Sequence, residues 1–566
     1  MSPIPSRIYN AAVGGHVCGP EDVDFGQKVV HLIKYDRAGN EVSFESQVTQ
    51  SNKIYVIHDD FTLNGNIIMP ANCVLKFDGG SLSGAYILTG DNTGIQAGLV
   101  KIFNTDVTLA GSWSLENWKP EWFGAKGDGA TDDTVAINKC LQHAPENSVI
   151  VFNAPKYIVS STINIPRDHI KLCGKSTIFA SNNNRGENVI NSNSRNFTII
   201  EGLIIDVNGS AREYDGRTQP YRGISLTGDN IRIENVTVKN TLGASGNSAV
   251  CIGVAGNNNV VITCQCLDAG LAGKVSDGIY IGGQNNIISN CFGLRCTDTA
   301  FVLENTSRSI ISGCVSDSSG ATAAITCFAP YTYEGNIING LTARNWNAVN
   351  TGGIAIGCIG SDSADCKLIN TSINNVVMEA DTTNGFGTGS AIYVRGNGNA
   401  TVGEISISNC TIIGASKYGI EIAGTVNKRT LISNCNIKSN GGERCIDTKG
   451  NNVFIQGCFL NGSTIGVSIG AGVCNLRNNV IFGASAWAVW VYSGTLNSIM
   501  NELSTQGAGN IGHDSGATVN HLDHINNGVA SLNIDNNAPT GTPTKKYPVW
   551  DTNGTSIIGY IPIYDQ

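Results

Sequence analysis

From about residue 197 onward one phrase recurs: Gly-Ile-x-Ile, a short Gly/Asn turn, then Asn-x-Ile-x-x-Asn-Cys. It reads GISLTGDNIRIENV at 223–236, AVCIGVAGNNNVVITC at 249–264 and GIYIGGQNNIISNC at 278–291. Later copies are AFVLENTSRSIISGC at 300–314, GIEIAGTVNKRTLISNC at 419–435 and CIDTKGNNVFIQGC at 445–458. Its first apolar position is assigned to Ile224, Val250, Ile279, Phe301, Ile325, Ile354, Ile392, Ile420, Ile446, Val467 and Val489, a mean interval of 26.5 residues. No single repeat of this length can bury its own apolar face. Stacked repeats can, as parallel strands about 4.8 Å apart around a continuous core. The period therefore predicts an all-β parallel solenoid. A leucine-rich repeat would need a Leu-x-x-Leu-x-Leu framework that is missing, and propeller blades need about 40 residues each.

Composition agrees. The chain of 566 residues has 68 Gly and only 14 % charged residues, as expected for strands joined by tight turns. With 14 Pro and no Gly-X-Y period it is not collagen, and no heptads suggest a coiled coil. The net charge of −9 argues against nucleic acid as the main partner. No window resembles a membrane span, and the opening MSPIPSRIYN lacks the basic-then-apolar layout of a secretory signal. Cys264, Cys291, Cys314, Cys410, Cys435 and Cys458 hold one position in the phrase and should stack as an inward file of free thiols. That pattern fits assembly in a reducing cytosol. Without paired CxxC spacing, neither a structural metal nor a cofactor is expected. The Asn runs at 257–259, 285–286 and 451–452 supply residues that tolerate the left-handed turns between strands.

Four segments are expected: a head over 1–50, opening coils over 51–120, the main solenoid over 121–490, and a small β-module over 491–566. At 121–141, EWFGAKGDGATDDTVAINKCL resembles the segment that opens the main helix in the pectate-lyase-like right-handed β-helix superfamily, including bacteriophage tailspikes. Read from its residues, this segment is structural. Asp132 or Asp133 can cap a short helix whose Ala136, Ile137, Cys140 and Leu141 make one apolar face. FTLNGNIIMPANCVLKFDGGSLSG at 61–84 is similar to tail proteins of phages infecting gut Bacteroides-like bacteria. The resemblance implies a right-handed parallel β-helix, a homotrimer on a virion tail among other tail proteins, and action on a bacterial surface polysaccharide.

Chemistry is expected on the edge that feeds into Gly-Ile-x-Ile, where the loops are longest. The loop over 208–222 carries Glu213, Tyr214, Asp215, Arg217, Tyr221 and Arg222. Aromatic rings there can stack on sugars, and guanidinium groups can hold hydroxyls or acidic groups. Asp277 and Asp298 precede equivalent strands on consecutive coils, so stacking should bring two carboxylates together, as glycoside hydrolysis requires. Asp215 is a third candidate acid, and Lys274 and Arg295 lie on the same edge. Strict alternation would turn Asp277 inward with Ile279, unless Gly278 marks a bend. The pair also resembles the polygalacturonase-type hydrolases, with Val275-Ser276-Asp277-Gly278 followed one coil later by Asp298-Thr299. That family's second Asp is Thr299 here, and its Gly-His-Gly and Arg-x-Lys segments have no counterpart. A polysaccharide lyase and a non-enzymatic receptor-binding tail protein are the competing readings.

Overall fold

The computed structural model describes residues 29–520, apart from 105, 185, 213–218, 245–247, 271–274, 329–330, 348–351, 359–365, 381–386, 388, 397–399, 425, 427 and 440. Strand backbone is also described at 8–9, 17–18, 521–525, 545–550 and 557–563. Residues up to His524 form one unit, and Ile525–Gln566 a second with an antiparallel pair, Lys545–Trp550 and Ile557–Ile563.

The repeat folds as a parallel β-helix. Each Gly-Ile-x-Ile strand joins a 14-stranded parallel sheet. The two short strands that follow it on most coils, such as Ile287–Ser289 and Phe292–Leu294, belong to a 30-stranded ladder that forms the remaining faces. Between those two strands stands a left-handed residue, Asn290 at φ 52°. The bend delivers the next residue, Cys291, into the core, which explains why Asn-Cys ends the phrase. Cys264, Cys291, Cys314, Cys410, Cys435 and Cys458 are all buried and free.

Register corrects two positions assigned from sequence. Ile279 pairs with Ile252 rather than Val250, and Phe301 with Ala323 rather than Ile325. The Asn runs divide their work. Asn258, Asn285 and Asn452 take the left-handed turns, whereas Asn259 and Asn286 point inward and are fully buried. The Oδ1 of Asn286 accepts from the Asn259 amide at 2.8 Å. Its Nδ2 donates to the Gly256 and Gly282 carbonyls at 3.0 and 3.1 Å. These side chains therefore satisfy the backbone groups that a coil corner would otherwise bury without partners.

At the entrance to the main helix, Thr134–His143 is an α-helix that buries Ala136, Ile137, Cys140 and Leu141. Asp133 stands at the N-cap position, but its carboxylate turns back to accept from the Lys126 and Gly127 amides. Asp132 accepts from the Thr134 amide instead. Asp128 is held down to about 2 by the Thr131 and Ala130 amides. The Gly-Asp-Gly-Ala-Thr-Asp-Asp run is thus occupied with folding its own loop. Parallel stacking already begins at Val29–Leu32 against Ile54–Ile57, and it continues beyond the last phrase, where Trp487–Val491 pairs with Gly509–His513. One apolar core runs from Leu32 to Leu503.

Candidate active site

The outer side of the 14-stranded sheet carries the polar cluster, and Gly278 explains how it gets there. In the strand Ser276–Gln284, Asp277 pairs with Val250 and Ile279 with Ile252, leaving Gly278 out of regular alternation. Gly278 and Ile279 are both buried. A Cβ at Gly278 would stand 2.4 Å from the Ala300 carbonyl oxygen, so only glycine fits. With two successive residues turned inward, Asp277 and Tyr280 both emerge half-buried on the outside. Gly278 is the bend.

The next coil completes the cluster. Its strand, Thr299–Ser307, pairs Ile279 with Phe301 and Gly282 with Glu304. The Thr299 amide donates to Asp277 Oδ1 at 3.1 Å, and the Thr299 hydroxyl lies 3.5 Å from Asp298 Oδ1. Thr299 thus bridges the two aspartates. The Tyr280 hydroxyl donates to Glu304 Oε1 at 2.6 Å. Arg222 is two strands back on the file that holds Asp277, and it pairs with Glu187.

Burial, then the neighbouring charges of Asp298 and Glu304, push the Asp277 carboxyl up to about 8, against a downward pull from the Thr299 amide. Asp298 is also raised by burial, less the effect of the Thr299 hydroxyl. Tyr280 is raised by burial and by its bond to Glu304. At neutral pH the site therefore presents a carboxylic acid that keeps its proton beside other acidic groups, with the titration shared by the coupled aspartates.

The raised value has a stability consequence. The folded protein holds a proton on Asp277 up to about 8, whereas an ordinary carboxyl at 3.8 releases it. The contribution of this group is thus fully present below about pH 4, and it is lost progressively as pH rises through 8. Asp277→Asn has nothing to ionise. Its thermal midpoint should exceed that of the parent by a margin that grows from pH 4 to 8 and then levels. A margin constant across that range would contradict the assigned burial.

The other expected residues fall in three groups. Glu213, Tyr214, Asp215, Arg217 and Lys274 lie outside the described residues. Tyr221 is 2 % exposed. Its ring lies 4.0 Å from the Arg212 guanidinium, and its hydroxyl donates to the Arg212 carbonyl. Tyr221 therefore packs the loop rather than facing a ligand, because the buried Arg212 needs a cover. Arg295 is exposed and engages Asp268 at 2.6 Å. Tyr280 and Glu304 were missed from sequence, although each sits at an outward position following an inward apolar residue. Among the described residues, no group of three or more His, Cys, Asp or Glu could hold a metal ion, and no helix is long and apolar enough to cross a membrane.

Comparison with known proteins shows what the chain is similar to. Residues 121–325, which include the whole cluster, match the family described as rhamnogalacturonase A/epimerase, pectate lyase-like. A probable glucan endo-1,3-beta-glucosidase of Arthroderma benhamiae is 44 % identical over 52 residues, 9 % of this chain, and the chain spans only 6 % of that protein's length. Among solved structures, the tailspike of E. coli bacteriophage HK620, in complex with a hexasaccharide, is 11 % identical with a TM-score of 0.50. That match covers 71 % of this chain and 80 % of the other. The family 28 exopolygalacturonase of Yersinia enterocolitica is 13 % identical, covering 73 % and 79 %, with a TM-score of 0.40. The chain is a right-handed parallel β-helix, the fold it shares with the HK620 tailspike, and within it residues 121–325 match the pectate-lyase-like family.

Proposed function

We propose that this chain is a phage tailspike that binds a bacterial surface polysaccharide and cleaves its glycosidic bonds at Asp277 and Asp298. The observation that carries the reading is the pair itself. Two aspartates sit on adjacent coils and share Thr299 as a hydrogen-bond bridge, with the proton retained on Asp277 at neutral pH. Hydrolysis of a glycosidic bond needs one carboxyl to give a proton to the leaving oxygen. It needs a second, ionised one to stabilise the oxocarbenium-like sugar, either directly or through water. Asp277 takes the first role and Asp298 the second. Tyr280 and Glu304 form a fixed hydrogen-bonded wall beside them. An elimination mechanism fits less well: it needs a base, and Tyr280 is raised by burial and its bond to Glu304. In this reading the protein is a homotrimer on a virion tail, with residues 1–50 facing other tail proteins and residues 491–566 serving trimer or receptor contacts.

The test is incubation of the full chain with a panel of purified capsular and O-antigen polysaccharides. A fall in molar mass with new reducing ends is expected for at least one of them. Unsaturated uronate ends would assign elimination instead. Retention without any new ends would leave a receptor-binding protein, and neither retention nor cleavage would overturn the glycan reading.

A further inference from the structure

The two outward positions that place Asp277 and Tyr280 on the sheet recur in every later coil. Near the far end, the strands Arg444–Thr448 and Trp487–Val491, two apart in the sheet order, hold a second, different set of side chains. Two residues before the inward apolar position stand Arg444 and Trp487, where Asp277 stands in its own strand. One residue after it stand Asp447 and Trp490, in the place of Tyr280. Because the sheet is parallel and in register, equal positions in the repeat fall on one line along the helix axis. The strand Trp487–Val491 is eight strands beyond Ser276–Gln284 in the sheet order, about 38 Å at the usual strand spacing.

This second cluster is aromatic and fixed. The Trp487 and Trp490 rings lie 4.9 Å apart between centroids, and Tyr492 is 6.1 Å from Trp490 and 39 % exposed. Both indoles overhang the next strand, where a Cβ at Gly509 would meet Trp487 at 2.5 Å and one at Gly512 would meet Trp490 at 2.4 Å. Glycine at those two positions makes the space into which the rings extend. Arg444 lies between Tyr418 and Tyr492, 5.2 and 5.3 Å from their ring centres. It donates to Asp447 at 2.6 Å and to the Tyr492 hydroxyl at 3.1 Å. Asp447 is 1 % exposed and its Oδ2 has no hydrogen-bond partner. Burying an incompletely satisfied carboxylate is costly. Its Oδ1 accepts from both Arg444 and the hydroxyl of Ser468 on the next strand. The carboxylate thereby ties the guanidinium, which lies against the two tyrosine rings, to the sheet.

We infer that Tyr418, Arg444, Trp487, Trp490 and Tyr492 form a remote glycan-binding platform, in line with Asp277 along the same sheet face. A polysaccharide chain would be gripped there while it is cut at the other end. The choice of a sugar rests on the glycan reading given above and on the mixture of groups. Pyranose rings present apolar C–H faces that stack on indole and phenol rings, and hydroxyls that bond to a fixed guanidinium. Trp, Tyr and Arg are also enriched where protein chains meet, so a contact between copies of this chain is the competing occupant that solution mass decides. Polymer length then decides affinity, since only a chain spanning both sites gains from the second.

Affinity electrophoresis of full-length Asp277→Asn protein, in gels cast with each polysaccharide of the panel, tests this. Retention is expected to weaken roughly tenfold or more in Trp490→Ala and in the exposed-site variant Tyr492→Ala. Trp490→Phe should recover part of it, and solution mass should not change. Retention unaffected by all three overturns the platform. A drop in solution mass also overturns it and assigns the patch to contacts between copies. Ring-dependent retention by a parent that never cleaves would uphold the platform and remove the proposed chemistry. Cleavage with ring-independent retention would do the reverse. Retention of no polysaccharide by Asp277→Asn, with no cleavage by the parent, would overturn both.

Discussion

Asp277→Asn is expected to lower polysaccharide cleavage by about 10²–10⁴-fold, the usual contribution of a positioned general acid, while the coils stay folded. Asparagine keeps the shape and can still accept from the Thr299 amide, which donates to Asp277 Oδ1, but it has no proton to give. In the parent, cleavage should decline as pH rises through about 8, where Asp277 loses its proton. The neighbours provide a sharper check. Asp298 and Glu304 both raise Asp277 through their charge. Glu304→Gln should therefore move the alkaline limb of the pH profile to lower pH, even if the rate at the optimum changes little. Asp298→Asn should move the limb the same way and also lower the optimum rate steeply. An alkaline limb that stays put in both variants would mean that the proton counted in the profile belongs elsewhere. Full activity in Asp277→Asn would remove the dyad altogether.

The solenoid was legible because its signal is repeated many times. A period, an inward Ile or Val, a turn residue and a Cys each recur at fixed offsets, and stacking makes every copy confirm the others. The pair Asp277 and Asp298 was legible for the same reason, as two acids at nearly equal places in consecutive copies. Sequence left the departure from alternation at Gly278 conditional, because the contact that forces it is not local. Gly278 turns inward beside Ile279 because the Ala300 carbonyl passes within 2.4 Å of where its Cβ would be. That contact depends on a neighbouring coil, so the glycine alone could not decide it. The same gap hid Tyr280 and Glu304, which meet only because register sets Gly282 opposite Glu304. It also hid the aromatic platform, whose members come from three separate copies of the repeat. Tyr221 failed in the opposite direction. A loop rich in Tyr and Arg looks like a binding surface, but one of its tyrosines closes over Arg212. Coil length set the register errors at Val250 and Ile325. With intervals varying around 26.5 residues, an apolar residue two places along passes for the repeated one.

The buried Asn286 should be among the most costly side chains in the helix to change, although it does no chemistry. Its Oδ1 caps the Asn259 amide and its Nδ2 caps the Gly256 and Gly282 carbonyls. Asn286→Ala strands these groups in a dry interior, where each unsatisfied one costs about 1–3 kcal/mol, so a loss of about 2–5 kcal/mol is expected. In a solenoid the damage should stay near its source, since each coil contacts only its neighbours. Native-state hydrogen exchange should show the Asn259 amide losing protection, with little change at the Asn479 amide, a distant member of the same type of ladder. Asn286→Asp separates shape from hydrogen bonding. Its carboxyl can still accept from the Asn259 amide, and when protonated it can donate to one carbonyl. Once ionised, it sets a negative charge against two carbonyl oxygens. Its folded pKa must therefore rise, and the stability lent by the protonated form is present below about pH 4 and lost as pH increases. The deficit of Asn286→Ala relative to the parent should be flat over the same range. If the two variants track each other with pH, the amide is filling space and the ladder contributes nothing. If only Asn286→Asp falls away from the parent with rising pH, the hydrogen bonds of the buried amides are what hold the coil corners together.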